Sequence, residues 1–266
     1  MSRKQLTYND EYILSYADYG PESGYPILIQ HGLIASIDDA DLFDRLLRHN
    51  ARLICIARPG YGYSSPYEMS SYAEWAEIVS HVIHHLHLRR FDILGMSSGA
   101  PYGYSIGCRF PDRVGHIFTL SGIPALYDEI VLSQWPYQPI VDQSIASLQE
   151  LARQLFFSDL TEGDLKRNDI RDSRMNHGFG VAQDLRLRFM DWGFRLSDVR
   201  KKVFMRHSKQ DDSIPFNTAI RTAALLPDCQ LELLEIGPHF SKEILDDFIR
   251  ETMLPHMRDE ASPAPV

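Results

Sequence analysis

The sequence predicts an α/β fold: a mostly parallel sheet flanked by helices, with a helical segment inserted between two of its strands. Three observations carry this reading. Short apolar runs alternate with longer stretches of helical periodicity up to Gly122, and strand–helix–strand order implies parallel strands joined by crossover helices. Over residues 124–197 the alternation stops, leaving helical patterns, charged turns and scattered aromatics without a clear buried strand; it then resumes. The first 20 residues differ from both regions, because "QLTYND" and "EYILSYADYG" read as a hairpin that adds an antiparallel edge.

The elements follow in order. "YPILIQ" (25–30) is short, branched and bounded by turn residues, as a buried strand should be. "DDADLFDRLLRHN" (38–50) has apolar residues at helical spacing behind a cluster of acids, as a helix N-terminus prefers. "RLICIA" (52–57) is another buried strand, and residues 70–88 form a long amphipathic helix with Ser70 or Ser71 as its cap. "FDILG" (91–95) is a strand, 98–110 a helix stopped by Pro111, and "VGHIFTLSG" (114–122) a strand. The insertion contains "SIASLQELARQLF" (144–156), a helical pattern. Beyond it come a strand at "KVFMRH" (202–207), a helix near 216–225, a strand at "QLELLEI" (230–236) and a last helix from about Ser241 to Arg258. The division is therefore a core of residues 1–123 and 198–258, an insertion at 124–197, and a polar, proline-bearing tail at 259–266 expected to be disordered.

The bulk numbers set limits. The chain has 266 residues, enough for one large α/β domain or a core with an inserted lid. Its formal net charge of -9 argues against an extended nucleic-acid interface, which needs clustered positive charge. That charge is compatible with a monomer or a homodimer. Cys55, Cys108 and Cys229 are sparse, odd in number and far apart, so buried free thiols in a reducing compartment are expected rather than a disulfide framework. The opening "MSRKQLTYND" has basic residues but no apolar run behind them, so neither a signal peptide nor a membrane span is expected, and the cytoplasm is the expected location.

One short stretch carries chemistry. "LGMSSGAPYG" (94–103) joins a buried strand to a helix with no linker. Gly95-Met96-Ser97-Ser98-Gly99 fits G-x-S-x-G, and only Ser97 has glycines two before and two after it. In such a nucleophile elbow a strained strand–helix turn lifts a serine hydroxyl above the sheet. Ser97 would sit at a helix N-terminus, where backbone N–H groups favour negative charge, and the N–H of Ser98 can donate to an oxyanion. Gly99, Gly103 and Gly107 leave one helix face nearly bare, which lets that helix approach the sheet. "QHGL" (30–33) follows the first buried strand, and the N–H of Leu33 can be the second oxyanion donor. "ARPGYGYSSP" (57–66) is a Gly/Pro-rich loop after the next strand. A serine nucleophile needs a base, and a histidine base needs a carboxylate to orient it. Asp211 and Asp212 in "MRHSKQDDSIP" are the candidates, with Asp211 favoured, and His239 in "EIGPHFSKE" lies just past the last strand, the place for the base.

The order Ser97, Asp211, His239, with "HGL", "RPGYGYS", "GMSSG", "DDSIP" and "GPHF", resembles the serine-nucleophile branch of the α/β-hydrolase fold superfamily over nearly the whole chain. The resemblance implies an α/β-hydrolase fold with residues 124–197 as a cap over the site. It implies Ser97 as nucleophile, His239 as base, Asp211 as acid, and an oxyanion hole from Leu33 and Ser98. The chain departs from many members in two places: Ala57 stands where they have an acidic residue, and Ser208 where they have glycine. The serine at the elbow argues against the epoxide hydrolases and haloalkane dehalogenases, which use a carboxylate there. "HGLI" is a poor match to lipases with "HGGG", and the elbow is unlike that of proline iminopeptidases.

The expected activity is therefore a carboxylesterase-like serine hydrolase acting on a small acyl substrate through an acyl-enzyme. An amidase or peptidase, a carbon–carbon bond hydrolase or an acyltransferase would use the same residues, and cofactor-free oxygenation or lyase chemistry runs on the same scaffold. A ligand-binding member of the fold that does not turn over is the alternative from another class. No cofactor, metal, nucleic acid or membrane partner is expected. His81 and His85 lie one helical turn apart but lack the glutamate and third ligand of a zinc site. His31 is expected to brace the oxyanion turn by hydrogen bonding, and His177 to face substrate or solvent. The insertion's aromatics, among them Trp135, Phe156, Phe157, Trp192 and Phe194, could line an apolar pocket, but half or more are expected to pack its own small core.

Overall fold

The structure, a computed structural model, describes residues 3–260. Among these, eight strands form one sheet: β1 (Lys4–Tyr8), β2 (Tyr12–Tyr19), β3 (Tyr25–Gln30), β4 (Ala51–Ile56), β5 (Phe91–Met96), β6 (Val114–Leu120), β7 (Val203–Ser208) and β8 (Cys229–Leu234). Their spatial order is β1-β2-β4-β3-β5-β6-β7-β8. β1 and β2 are the expected antiparallel hairpin and β2 runs antiparallel to β4; every pair from β4 to β8 is parallel.

Strand pleating divides the core into two layers. Leu28, Ile54, Ile56 and Ile93 point to one face, where α2 (Tyr72–His85) and α3 (Ala100–Arg109) pack. Ile27, Ile29, Leu53, Cys55 and Leu94 point to the other, against α1 (Asp44–Arg48) and the C-terminal helices. Alternate residues of one strand serve opposite layers, so the central strands read as continuous apolar runs. The buried face of α2 comprises Tyr72, Trp75, Ala76, Val79, Val82 and Ile83, the i, i+3, i+4 stripe of an amphipathic helix. Its exposed His81 and His85 lie beside the rings of Tyr8 and Tyr16, at 6.0 and 6.4 Å.

Between β6 and β7 the chain runs through α4 (Glu129–Ser133), α5 (Ile145–Phe156) and α6 (Asn168–Leu187). Ser144 caps α5 through a 3.1 Å bond from Ser147 N–H. α6 is broken at Met175–Gly178, where Asn176, His177 and Gly178 are all left-handed. The Asn176 amide secures the break by donating to the Gly60 carbonyl at 3.1 Å. α7 (Phe216–Ala224) joins β7 to β8; α8 (Lys242–Phe248) and α9 (Leu254–Glu260) close the described chain, joined by a π-turn at Ile249–Met253.

Three expectations need correction. The helix expected over 38–50 is a 3-10 turn at Ala40–Phe43 followed by the short α1. The acids meant to start it are engaged elsewhere: Asp38 binds Arg3 and Arg171, and Asp39 accepts from Asn168, so neither caps the helix. Ser71 has the extended backbone of an N-cap but no side-chain cap bond; the Glu74 carboxylate reaches back to Ser70 N–H at 2.7 Å instead. Of the tail expected to be disordered from 259, Asp259 and Glu260 belong to α9, and residues 261–266 lie outside the described residues. Among the described residues no helix is long and apolar enough to cross a membrane.

Candidate active site

The parallel strands deliver their following loops to one end of the sheet, the end where α/β folds place sites. Four of these loops meet there. β5 ends directly in Ser97, whose φ of 49° is left-handed, an uncommon and strained conformation for a residue with a side chain. The two glycines are what permit it. A Cβ at Gly99 would come 2.0 Å from the Gln30 carbonyl oxygen, and one at Gly95 would come 2.9 Å from Ala100 Cα. The start of α3 therefore presses against the end of β3, and Ser97 is pushed out over the strand ends.

The expected base and acid arrive from the far half of the chain. His239, in the loop after β8, places Nε2 2.9 Å from Ser97 Oγ and Nδ1 2.8 Å from Asp211 Oδ2. An ionised carboxylate only accepts, so Nδ1 carries the ring proton and Nε2 is left to accept from the serine hydroxyl. Asp211, rather than Asp212, holds this position. Its side chain is fully buried, and Oδ1 accepts the N–H groups of Ser213 and Ile214 at 2.9 and 2.8 Å. Burial pushes its pKa up, but the His239 contact and the two amides outweigh this and hold it below the usual carboxylate range. Asp212 is exposed and, among the described residues, accepts the Ser213 hydroxyl alone.

The oxyanion candidates lie beside the serine. A Cβ at Gly32 would stand 3.8 Å from Ser97 Cβ, so the loop after β3 passes next to Ser97 and brings Leu33 with it. Leu33 and Ser98 both line the cavity that opens above Ser97. His31 braces this loop from within: Nδ1 lies 2.8 Å from the Gly32 carbonyl and Nε2 3.4 Å from the Arg58 N–H. Burial, aided by the Arg58 charge, pushes the His31 pKa well below its ordinary value, so it is neutral, donating from Nδ1 and accepting at Nε2.

Several residues at the site escape a reading of the sequence. Arg58, which reads as part of a tight turn, is fully buried and donates to the carbonyls of His31 and Gly32 at 2.7 and 2.9 Å. Its other side meets Asp184 of α6 at 2.5 Å. Asp184 also accepts from Tyr102 at 2.6 Å, and the one Tyr61 hydroxyl proton is shared between Asp184 at 3.0 Å and the Leu33 carbonyl at 2.8 Å. Ser208, in place of glycine, donates to the Gly237 carbonyl at 2.6 Å and ties the end of β7 to the loop that carries His239. His207 is buried, with Nε2 2.9 Å from the Ile214 carbonyl. Only a buried arginine in a Gly/Pro-rich loop could have signalled such a network, and burial of a single arginine is not visible in sequence.

The cavity has a volume of about 1340 Å³ and is walled by both the core and the inserted helices. Trp135 and Phe156 line it, whereas Trp192 is fully buried against Tyr72 and Tyr127, and Phe194 packs beside it. Phe157 is not on its wall, and His177 is exposed. The three cysteines are free, and burial raises the thiol pKa values of Cys108 and Cys229 to about 12. Among the described residues no cluster of three or more His, Cys, Asp or Glu side chains could hold a metal ion.

Fold and geometry together match one family. Residues 25–243 fit the family model of the α/β hydrolase fold, and the chain belongs to that family. It is 23% identical over 225 residues to a 2-hydroxy-6-oxo-2,4-heptadienoate hydrolase of Pseudomonas putida, covering 79% of this chain and 81% of that one. It is 24% identical over 207 residues to a 2-hydroxy-6-oxononadienedioate/2-hydroxy-6-oxononatrienedioate hydrolase of Cupriavidus pinatubonensis, covering 72% and 71%. Among solved structures, an esterase from Exiguobacterium antarcticum superposes with a TM-score of 0.73 at 19% identity, over 96% of this chain and 98% of that one. The meta-cleavage product hydrolase of Pseudomonas fluorescens superposes with a TM-score of 0.67 at 18% identity, over 97% and 98%.

Proposed function

We propose that this hydrolase is a serine hydrolase that cleaves an ester or related acyl bond of a small molecule through an acyl-enzyme. The observation that carries the reading is the chain of contacts from Ser97 Oγ to His239 and on to Asp211, at 2.9 and 2.8 Å. His239 Nε2 takes the hydroxyl proton as Ser97 Oγ attacks the carbonyl carbon. The negative charge on the carbonyl oxygen is met by the N–H groups of Ser98 and Leu33. The tetrahedral species collapses, the carbonyl–leaving-group bond breaks, and His239 returns its proton to the leaving group. Water, deprotonated by the same nitrogen, then attacks the acyl-enzyme and restores Ser97. Asp211 stays ionised throughout and stabilises the imidazolium. The inserted helices act as a cap that shields this chemistry from bulk water.

A second reading is hydrolysis of a carbon–carbon bond next to a ketone. It is favoured by the names of the matched relatives, hydrolases of 2-hydroxy-6-oxo dienoic acids. A carbon leaving group departs when its electron pair is delocalised into a neighbouring carbonyl and then protonated. The substrate supplies that delocalisation, so Ser97, His239 and Asp211 would serve unchanged.

The test is covalent labelling by a fluorophosphonate, read by intact mass on wild type, Ser97→Ala and Ser98→Ala. One adduct on wild type and Ser98→Ala, and none on Ser97→Ala, supports the reading. Folded wild type that takes no label, and turns over neither short acyl esters nor a 2-hydroxy-6-oxo dienoate, would favour a binding protein on this fold.

A further inference from the structure

Arg188, at the C-terminus of α6, lines the same cavity as Ser97. Its Nη2 lies 3.5 Å from the hydroxyl of Ser98, the residue after the nucleophile, and its Nε 3.4 Å from the main-chain carbonyl of Asp184. Both contacts are long and both acceptors are neutral. Among the described residues no carboxylate pairs with it.

Asp184, the nearby acid, is already committed. Oδ2 accepts from Arg58 Nη2 at 2.5 Å and from Tyr61 at 3.0 Å; Oδ1 accepts from Tyr102 at 2.6 Å and from Arg58 Nε at 3.3 Å. All four acceptor directions of the carboxylate are used. The cluster thus contains two guanidinium groups, Arg58 and Arg188, and one carboxylate. The cavity's other acids, Asp39, Asp41 and Asp169, lie on the loop after β3 and at the start of α6, beyond ion-pair distance of Arg188. A helix C-terminus offers only partial negative charge. Arg188 sits deep among protein atoms, and desolvation lowers its pKa, yet part of its surface stays open and that opening is onto the cavity.

A cation left without a counter-ion in a partly dry site is costly unless an anion arrives to pair with it. We propose that Arg188 is a binding residue for a carboxylate carried by the substrate, so that the acyl compound cleaved at Ser97 is an anion with an apolar body. The apolar body matches the rest of the wall, which includes Ile34, Ile123, Trp135, Leu185 and Phe189. A guanidinium holds a carboxylate through two parallel N–H bonds, which fixes orientation as well as charge. The chain's net charge of -9 gives such a substrate no long-range attraction, so recognition has to be local. The proposal rests on the serine hydrolase reading for the chemistry at Ser97, and on the cavity alone for binding.

Two matched substrate pairs test it. Mono-4-nitrophenyl adipate against 4-nitrophenyl hexanoate puts the carboxylate on the acyl side; 4-carboxyphenyl acetate against phenyl acetate puts it on the leaving group. Wild type should prefer the anion in at least one pair. Arg188→Met should lower that anion-to-neutral ratio of kcat/KM by about 100-fold, mainly through KM. Arg188→Lys, which keeps a charge but not the fork, should keep part of the preference. Fluorophosphonate labelling of Arg188→Met shows that the nucleophile is still assembled. Absence of preference in both pairs, or a parallel fall on anion and neutral ester in a variant that still labels, overturns the proposal. Binding is read separately from turnover. Adipate should raise the Tm of Ser97→Ala and not that of Ser97→Ala/Arg188→Met, and equal shifts in the two would sink the anion site even if Ser97 never turns over.

Discussion

Arg58 and Asp184, 126 residues apart, meet at 2.5 Å, and the same guanidinium that meets the acid also holds the carbonyls of His31 and Gly32. The acid belongs to the inserted helices and the carbonyls to the loop after β3, which carries Leu33. One buried ion pair therefore fixes the loop's shape by reference to the insertion.

Breaking this pair from either side leaves a buried charge without its direct hydrogen-bonded partner. Arg58→Met and Asp184→Asn should each cost about 3–5 kcal/mol of stability. Arg58→Met/Asp184→Leu should lose less than the sum of the two, because neither member is left behind without the other. Urea denaturation midpoints measure all three, and strict additivity would show that the two side chains do not depend on each other.

Asp211→Asn should keep the fold and lose about 10⁴-fold in kcat, since an amide can donate to Nδ1 and stabilise the wrong tautomer of His239. Asp212→Ala should change kcat by less than about threefold, its side chain being exposed and the His239 contact belonging to Asp211. Steady-state rates on one ester decide between them; the reverse pattern would move the acid to Asp212.

Gly99→Ala places a methyl group 2.0 Å from the Gln30 carbonyl oxygen, with backbone on both sides of the clash. The expected loss is on the order of 3 kcal/mol, with slower fluorophosphonate labelling as the elbow shifts. Unchanged Tm and labelling rate would mean that α3 does not press on β3 as described.

Mild acid should destabilise the protein through two buried imidazoles. Burial lowers the pKa of His31, with Arg58 adding to it, and lowers that of His207 against the opposing effects of the Ile214 carbonyl and Asp211. In the unfolded chain both imidazoles titrate near about 6.5. Between that value and their depressed folded values the unfolded state binds more protons. Stability should thus be full above about pH 7 and fall below about 6.5, by up to about 1.4 kcal/mol per pH unit for each proton. The contribution of Asp211, whose folded pKa is also lowered, is lost only at lower pH, through the carboxylate range. Urea midpoints from pH 8 to 5 give the slope, and His31→Asn should flatten it; a level profile in wild type would contradict neutral, buried imidazoles.

The frame of this molecule was legible because its signals are local. Ser97, Asp211 and His239 each stand soon after a strand end, with a glycine or proline a few residues away, and periodicity alone places the strands. The 3-10 turn at Ala40–Phe43 and the π-turn at Ile249–Met253 were not legible, because both arise from what the neighbouring side chains bind or bury. Arg58, Asp184 and Arg188 escaped for a related reason. A buried charge looks like a surface charge until its partner, or the lack of one, is located in three dimensions.

His239 is 142 residues from Ser97 and is carried by the loop that follows β8. β8 is the outer strand of the sheet, only partly covered, and paired on one side alone, with β7. An outer strand of this kind exchanges its amide hydrogens and frays at lower free energy than the centre of the sheet. Reactivity at Ser97 should therefore report on that edge: it should await the docking of β8 during folding, and on warming it should fade while most of the sheet is still intact.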